Sequence, residues 1–315
     1  MYYIGVDLGG TNIAVGIVNE KGEMLRKGSV PTNAKRDVDE IIKDMGELCK
    51  KLMEEQGITA DDVQYAGIAT PGTADHDNGV VVYANNLPFE NYPLAAKLSE
   101  FSGIKKVLIE NDANAAAKGE AELGAAKGCN NSVMITLGTG VGGGIIIDKK
   151  VYSGFNYAGG ELGHTVIEVD GAKCSCGRNG CWEAYSSATG LINMTKAKMQ
   201  ETKDTVMWEI APTLDEVNGK TAFDAMRKND KAGIEVVDKY IKYLAIGLVN
   251  MINIFQPEVL VIGGGICKEG DNLLVPLQKQ IDAQVYGNSN NKRTEIRIAS
   301  LGNDAGIIGA AMLGL

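Results

Sequence analysis

Short apolar runs broken by tight turns open the chain. Tyr2 to Asp7 and Ile13 to Val18 read as β-strands joined by Leu8-Gly-Gly-Thr-Asn12, and Glu20-Lys21-Gly22-Glu23 turns into a third strand, Met24 to Val30. From residue 38 to 55 the period changes. Val38, Ile41, Ile42, Met45, Leu48 and Leu52 recur at helical spacing, which predicts a helix ending near Gly57. Val63 to Ala69, Val80 to Tyr83 and Lys106 to Ile109 suit short buried strands, and an alanine-rich helix follows over 111–122. The order then partly repeats. Ser132 to Leu137 predicts a strand, Gly138 to Gly144 a loop, Ile145 to Asp148 a returning strand and Lys149-Lys150 a turn. Strand, glycine-rich turn, strand, turn, strand thus occurs twice, the mark of an internal duplication. Helices are expected from Ser187 to Lys203, around 221–228, and from Lys231 to Phe255 up to Gln256-Pro257. Val259 to Ile262 runs as a buried strand into Gly263-Gly264-Gly265, before a helix near 271–284, a strand near 295–299 and a closing helix from about 304. No linker is visible. The pattern places a small α/β domain over 1–120, rejoined by the C-terminal helix 304–315, and a larger α/β domain over 121–303 carrying a cysteine-rich segment.

Composition narrows the class. At 315 residues, with 44% hydrophobic and 23% charged, the chain suits a globular protein with room for two cores. A net charge of −9, from 31 basic and 40 acidic residues, argues against nucleic acid or a membrane surface as principal partner. It leaves a phosphorylated ligand open, because glycine loops bind phosphate through backbone N–H groups. No uncharged apolar run reaches the about 18 residues of a membrane span, and MYYIGVDLGG reads as a strand rather than a secretory leader. The expectation is a cytoplasmic protein with reduced cysteines.

Three cysteines stand in the string Cys174-x-Cys176-Gly-x-x-Gly-Cys181, and His164, one of 2 histidines, lies upstream. Three thiolates and an imidazole are the complement of a closed, four-coordinate zinc site. Gly177 and Gly180 supply the tight turns needed to fold back around one ion. Glu161 and Glu183 flank the set, and a bare knuckle does not explain them. Cys49, Cys129 and Cys267 are scattered and read as packing residues. His76, among Asp75, Asp77 and Asn78, reads as a solvated turn residue without a role. In the first turn, Gly9 and Gly10 would admit phosphate oxygens, Thr11 and Asn12 would add donors, and Asp7 could hold Mg²⁺; the string equally suits a plain hairpin. Neither glycine loop is a G-x-G-x-x-G opening a helix, nor a Walker A loop. Glu110-Asn111-Asp112 stands between a buried strand and a helix start, a place for an N-cap or for a carboxylate exposed to a cleft.

Glu161-x-Gly-His164 followed by CxCGxxGCxE, together with the glycine loops, resembles the ROK family of sugar kinases and sugar-responsive repressors, and within it the zinc-containing bacterial glucokinases. The resemblance spans nearly the whole chain. It implies the α/β, two-domain sugar kinase/actin-like ATPase (ribonuclease H-like) fold, with a duplicated βββαβαβα core and a cleft between domains. It also implies ATP-dependent phosphorylation of a hexose, foremost glucose to glucose 6-phosphate in glycolysis. N-acetylmannosamine, mannose, allose or fructose are the alternative substrates. By the same resemblance Asp112 is the general base, and Asn111, Asp112, Glu161, His164 and Glu183 contact the sugar, with Gly72 and Asn86 in loops nearby. Asp7, Gly9, Gly10, Thr11, Asn12, Gly138, Thr139, Gly140, Gly264 and Gly265 would hold ATP and Mg²⁺. His164, Cys174, Cys176 and Cys181 would hold Zn²⁺, leaving the second ring nitrogen of His164 for a sugar hydroxyl. ROK repressors carry a DNA-binding helix-turn-helix ahead of the kinase-like body. A first strand at Tyr2 and the acidic charge make a sugar-sensing regulator without catalysis the lesser expectation. A homodimer or homotetramer is the assembly the family implies.

Overall fold

β-Branched residues at alternate positions, Ile4 and Val6, then Ile13, Val15 and Ile17, are buried in the opening meander of the computed structural model, which describes residues 1–84, 87–287 and 292–315. Strands β1 (Tyr2–Leu8), β2 (Asn12–Asn19) and β3 (Met24–Pro31) pair antiparallel in sequence order. Helix α1 (Val38–Gln56) starts on the Asp37 side chain, which accepts the Asp39 N–H, and stops at Gly57 in the left-handed conformation. It leads to β4 (Val63–Thr70), parallel to β1. A small sheet of β5 (Thr73–Asp75), β6 (Val80–Tyr83) and β7 (Glu90–Tyr92) follows. Then come α2 (Leu94–Ser102), β8 (Val107–Asn111), parallel to β4, and α3 (Asp112–Glu122). The first large sheet has the order β3-β2-β1-β4-β8.

The second large sheet begins with β9 (Ser132–Leu137), β10 (Val141–Ile147) and β11 (Lys150–Val151). A helical stretch follows: α4 (Glu183–Ser186), α5 (Ala188–Glu201), α6 (Met207–Ile210), α7 (Thr221–Arg227) and α8 (Lys231–Phe255). The chain closes with β12 (Val259–Gly263), α9 (Asp271–Gln284), β13 (Glu295–Ile298) and α10 (Ala305–Ala311). The order β11-β10-β9-β12-β13 repeats that of the first sheet position by position, so the duplication holds at the level of topology. Two units result: Met1–Met134 with Gly144–Gly160 and Ala299–Leu315, and Ile135–Gly143 with Glu161–Ile298. The division expected near residue 120 falls within α3. Among the described residues no helix is long and apolar enough to cross a membrane.

One expectation is corrected. The stretch from Gly138 to Gly144 is a loop only to Gly140, because β10 begins at Val141. The later glycines serve packing. A Cβ on Gly144 would stand 2.6 Å from the Ala113 carbonyl oxygen, where α3 crosses the strand.

Helix α10 lies against β1, β4 and α3 at distances that exclude side chains. A Cβ on Gly5 would stand 1.9 Å from the Ile307 oxygen, one on Gly67 1.9 Å from the Ala310 oxygen, and one on Gly309 1.7 Å from the Ala115 oxygen. In the main core of the same unit, Ile41, Ile42 and Met45 of α1 are buried with Ile13, Val15 and Ile68 of the sheet. Gly309→Ala should therefore lower the unfolding free energy by about 1–3 kcal/mol, the usual scale of overpacking. Urea denaturation checks this; a variant as stable as the parent would mean that α10 can shift without cost.

Candidate active site

Strands β1, β4 and β8 run parallel, so their carboxyl ends emerge on one edge, the usual ligand edge of such sheets. Their register sets Asp7, Ala69 and Glu110 in one row. Just beyond it, the Asn111 Oδ1 accepts the N–H groups of Ala113 at 2.9 Å and Asn114 at 3.3 Å, and so caps α3. Its Nδ2 donates to the Gly72 carbonyl at 3.1 Å. Asp112 is the first helical residue, and its Oδ1 also accepts the Ala113 N–H, at 2.8 Å. Its side chain reaches solvent, yet protein surrounds it closely enough that desolvation raises its carboxyl above the ordinary range, against the opposing N–H bonds. Solvent access limits the size of that shift rather than its direction. Asp7 is half-buried and pushed up to about 6, first by desolvation and then by the charge of Asp112, with Lys27 opposing. Gly306 leaves room for it, since a Cβ there would stand 2.9 Å from the Asp7 Oδ2.

The first glycine turn is braced from behind. Gly9 N–H donates to the Asn12 carbonyl at 3.0 Å. Buried Thr32 donates its hydroxyl to the Gly9 carbonyl at 2.6 Å and its N–H to the Thr11 carbonyl at 2.8 Å. Gly10, Thr11 and Asn12 are left exposed. Nothing in the sequence marks Thr32, which matters because β3 ends opposite the turn, with Pro31 facing Asn12.

His76, read as a solvated turn residue, has a partner. Its Nδ1 lies 3.4 Å from the buried Glu110 Oε2, and its ring meets Tyr157 edge-on at 4.8 Å. The two residues are distant in sequence, so no local pattern announced the pair. Gly72 adopts a left-handed φ of 86° and packs on the Tyr83 carbonyl, whereas Asn86 lies outside the described residues.

In the second unit, the loop Gly138–Gly140 is held by α5: the Gly138 carbonyl accepts the Ala188 N–H at 2.9 Å, and the Thr139 carbonyl accepts the Thr189 hydroxyl at 2.8 Å. Gly138 and Thr139 are exposed, and a Cβ on Gly138 would meet nothing within 4 Å. The exposed turn at Gly264 and Gly265 adjoins this loop, because a Cβ on Gly264 would stand 2.1 Å from the Leu137 carbonyl oxygen. Glu183 ties the loop to the cysteine segment. Its Oε2 accepts the Val141 N–H at 3.0 Å and its Oε1 the Ser175 hydroxyl at 3.1 Å. The absence of a Cβ at Gly140 leaves the room this carboxylate occupies, since one there would stand 2.3 Å from the Oε2. Glu161 is exposed ahead of the short turn Leu162–His164.

The cysteine hairpin closes through bridges between Lys173 and Asn179 and between Val166 and Cys181. Gly177 and Gly180 take the positive φ their turns require, 89° and 74°. Fully buried Trp182 anchors it, donating its Nε1–H to the Tyr243 carbonyl of α8 at 3.1 Å. Donor atoms of His164, Cys174, Cys176 and Cys181 all lie within 4.8 Å of one another. Cys174 Sγ is 3.6 Å from His164 Nδ1, and Cys176 Sγ is 3.7 Å from Cys181 Sγ. A tetrahedron with bonds of about 2.3 Å has edges of about 3.8 Å, so the four donors fit one zinc ion. Desolvation first, then the hydrogen bonds and charges of Cys176 and Cys174, drives the Cys181 thiol up, and a cation shared by the thiolates would offset both burial and repulsion.

These features have parallels in known proteins. The chain matches the ROK family model over residues 3–315. It is 35% identical over 311 residues to a glucokinase of Thermotoga maritima, covering 98% of this chain and 96% of that one. To a glucokinase of Halalkalibacterium halodurans it is 37% identical over 316 residues, covering 99% and 94%. Among solved structures, a ROK family glucokinase from Streptomyces griseus in complex with glucose and AMPPNP matches with a TM-score of 0.81 at 33% identity, over 99% of each chain. The duplicated α/β architecture is that of the two-domain, actin-like sugar kinases.

Asp7 titrates above its unfolded value, so its protonated form favours the fold, and that contribution is lost as pH rises through about 6. Asp7→Asn should therefore raise stability near pH 7.5 by about 1–2 kcal/mol, allowing for solvent screening, with little gain near pH 4. Thermal unfolding at the two pH values checks this; equal gains at both would place the cause elsewhere.

Proposed function

The chain belongs to the ROK family, and on that premise we propose that it is an ATP-dependent hexokinase acting foremost on glucose, with glucose 6-phosphate and ADP as products. The observation that carries the reading is the pair of carboxylates with raised pKa values, Asp7 and Asp112, at the carboxyl ends of parallel strands β1 and β8. Two kinds of work are needed there. A sugar hydroxyl must lose its proton as its oxygen attacks the γ-phosphorus, and the phosphate charge must be held while ADP leaves.

Asp112 is the general base: its carboxylate takes the hydroxyl proton, and desolvation makes it a stronger base than an ordinary aspartate. Asn111 is anchored by its cap bonds and by Gly72, and holds the sugar beside Asp112. Asp7, ionised above about 6, is the residue that would hold Mg²⁺, directly or through water. Mg²⁺ bound with ATP neutralises charge on the phosphates. The turns Gly9 to Asn12 and Gly138 to Gly140, exposed at Gly10–Asn12 and at Gly138 and Thr139, serve the phosphates, and Gly264-Gly265 serves the adenosine. Glu161, His164 and Glu183 are assigned to sugar hydroxyls, and His164 with Cys174, Cys176 and Cys181 to zinc. Zinc bound there fixes the hairpin. The Nδ1 of His164 faces Cys174 Sγ, so the Nε2 is the nitrogen left for a hydroxyl.

ADP release with Mg-ATP, measured against glucose, mannose, fructose, allose and the two N-acetylated amino sugars, tests the reading. Glucose should lead, and Asp112→Asn should cut kcat by at least about a hundredfold while sugar binding persists. Turnover of none of these sugars by the parent, or near-parental turnover by the variant, refutes it. Elemental analysis should find zinc at one atom per chain, and Cys181→Ser should lose it together with sugar affinity; a zinc-free parent overturns the metal assignment.

A further inference from the structure

Glu110 ends β8 immediately before the Asn111 cap, yet it is only 5% exposed. Its Oε1 accepts the Asn111 N–H at 2.9 Å and the Asn114 Nδ2 at 3.0 Å. Its Oε2 accepts the Ser153 hydroxyl at 3.2 Å and faces the His76 Nδ1 at 3.4 Å. A buried carboxylate needs a counter-charge, and among the described residues His76 is the only basic side chain within ion-pair distance of it. The imidazole in turn faces acids. Its Nε2 is 3.7 Å from Asp77 Oδ1, Asp75 stands nearby, and the Tyr157 ring that flanks it donates its hydroxyl to Asp77 Oδ2 at 2.6 Å. Hydrogen bonding to Glu110 is the largest cause holding the His76 pKa above its ordinary value, with desolvation opposing.

We infer that His76 is a positioning residue for the Asn111–Asp112 segment, acting through Glu110. Strand β5 is clamped to the β8–α3 junction from both of its ends, by Gly72 just before it on Asn111 and by His76 just after it on Glu110. Protonated His76 balances the carboxylate that fixes the Asn111 amide and the Asn114 side chain. When the proton leaves through the exposed face of the ring, the Glu110 charge stands uncompensated in the interior, and the clamp loosens. Its effect falls on sugar binding, because Asn111 is the sugar contact. The kinetic part rests on the hexokinase reading, whereas the coupling itself does not.

Two measurements on the full-length protein separate those claims. The chain has 2 histidines, so the His76 ring can be followed by NMR titration. Its midpoint should fall in Glu110→Gln, and the Asn111 amide should shift with the same midpoint in the parent but not in His76→Gln. In the kinetic arm, the hexose KM of the parent should rise about five- to tenfold as pH passes through that midpoint, with kcat within about twofold. In His76→Gln the KM should be raised at every pH and flat across the range. A His76 midpoint indifferent to Glu110→Gln, or an unchanged alkaline limb of KM in His76→Gln, overturns the inference. A parent that turns over no hexose while His76 and Asn111 still titrate together sinks the hexokinase reading and leaves the coupling established.

Discussion

Close backbone approach between α10, α3 and the first sheet is the constraint on which the edge carrying Asp7 and Asp112 depends. Helix α10 rests on β1, β4 and α3 at separations that leave no space for a Cβ at Gly5, Gly67 or Gly309. That approach carries Gly306 to the side of Asp7, and Asp112, the first residue of α3, acts on Asp7 through its charge. A carboxylate partly withdrawn from water, as Asp7 is, and set beside a second one is costly to ionise. The fold bears that cost at the carboxyl ends of its parallel strands, the kind of edge where stability is often traded for activity.

The second unit solves a different problem. Its loop at Gly138 to Gly140 is held from outside: the Gly138 and Thr139 carbonyls are fastened to the start of α5, and its far end to Glu183. Glu183 reaches at once to Ser175 in the cysteine hairpin. The order of the hairpin is therefore passed to the loop through one carboxylate. Trp182, adjacent in the chain, roots the same segment in α8, where a Cβ on Gly247 would lie 1.9 Å from its ring. The cysteines and the glutamate of one sequence motif thus act as a single mechanical unit.

Much of this was legible in the residues. The paired strand–glycine turn–strand pattern foretold two sheets of matching order, and the helices Lys231–Phe255 and 271–284 stand where their periodicity put them. The spacing of Gly177 and Gly180 announced the hairpin turns. Strand β6 stands where Val80 to Tyr83 was expected, whereas β5, β7 and α2 went unseen, because three-residue strands and a nine-residue helix carry too little periodicity to stand out. In Glu110-Asn111-Asp112, a cap and an exposed carboxylate could not be told apart by composition. The structure divides the two tasks between neighbours, with Asn111 capping and Asp112 pointing its carboxylate out from the first turn.

By itself the sequence determined what neighbouring residues decide among themselves: strand and helix period, turns, and a set of thiol and imidazole donors gathered within a short stretch of chain. These follow from local sterics and hydrogen bonding, which act over a few residues. Only the tertiary structure decided which glycines serve a loop and which serve packing, as Gly138 and Gly144 illustrate. It also decided that Asp7 is hard to ionise and that His76 faces Glu110. Desolvation and pairing depend on whatever the fold brings alongside a group, and the chain does not write that next to the residue it affects.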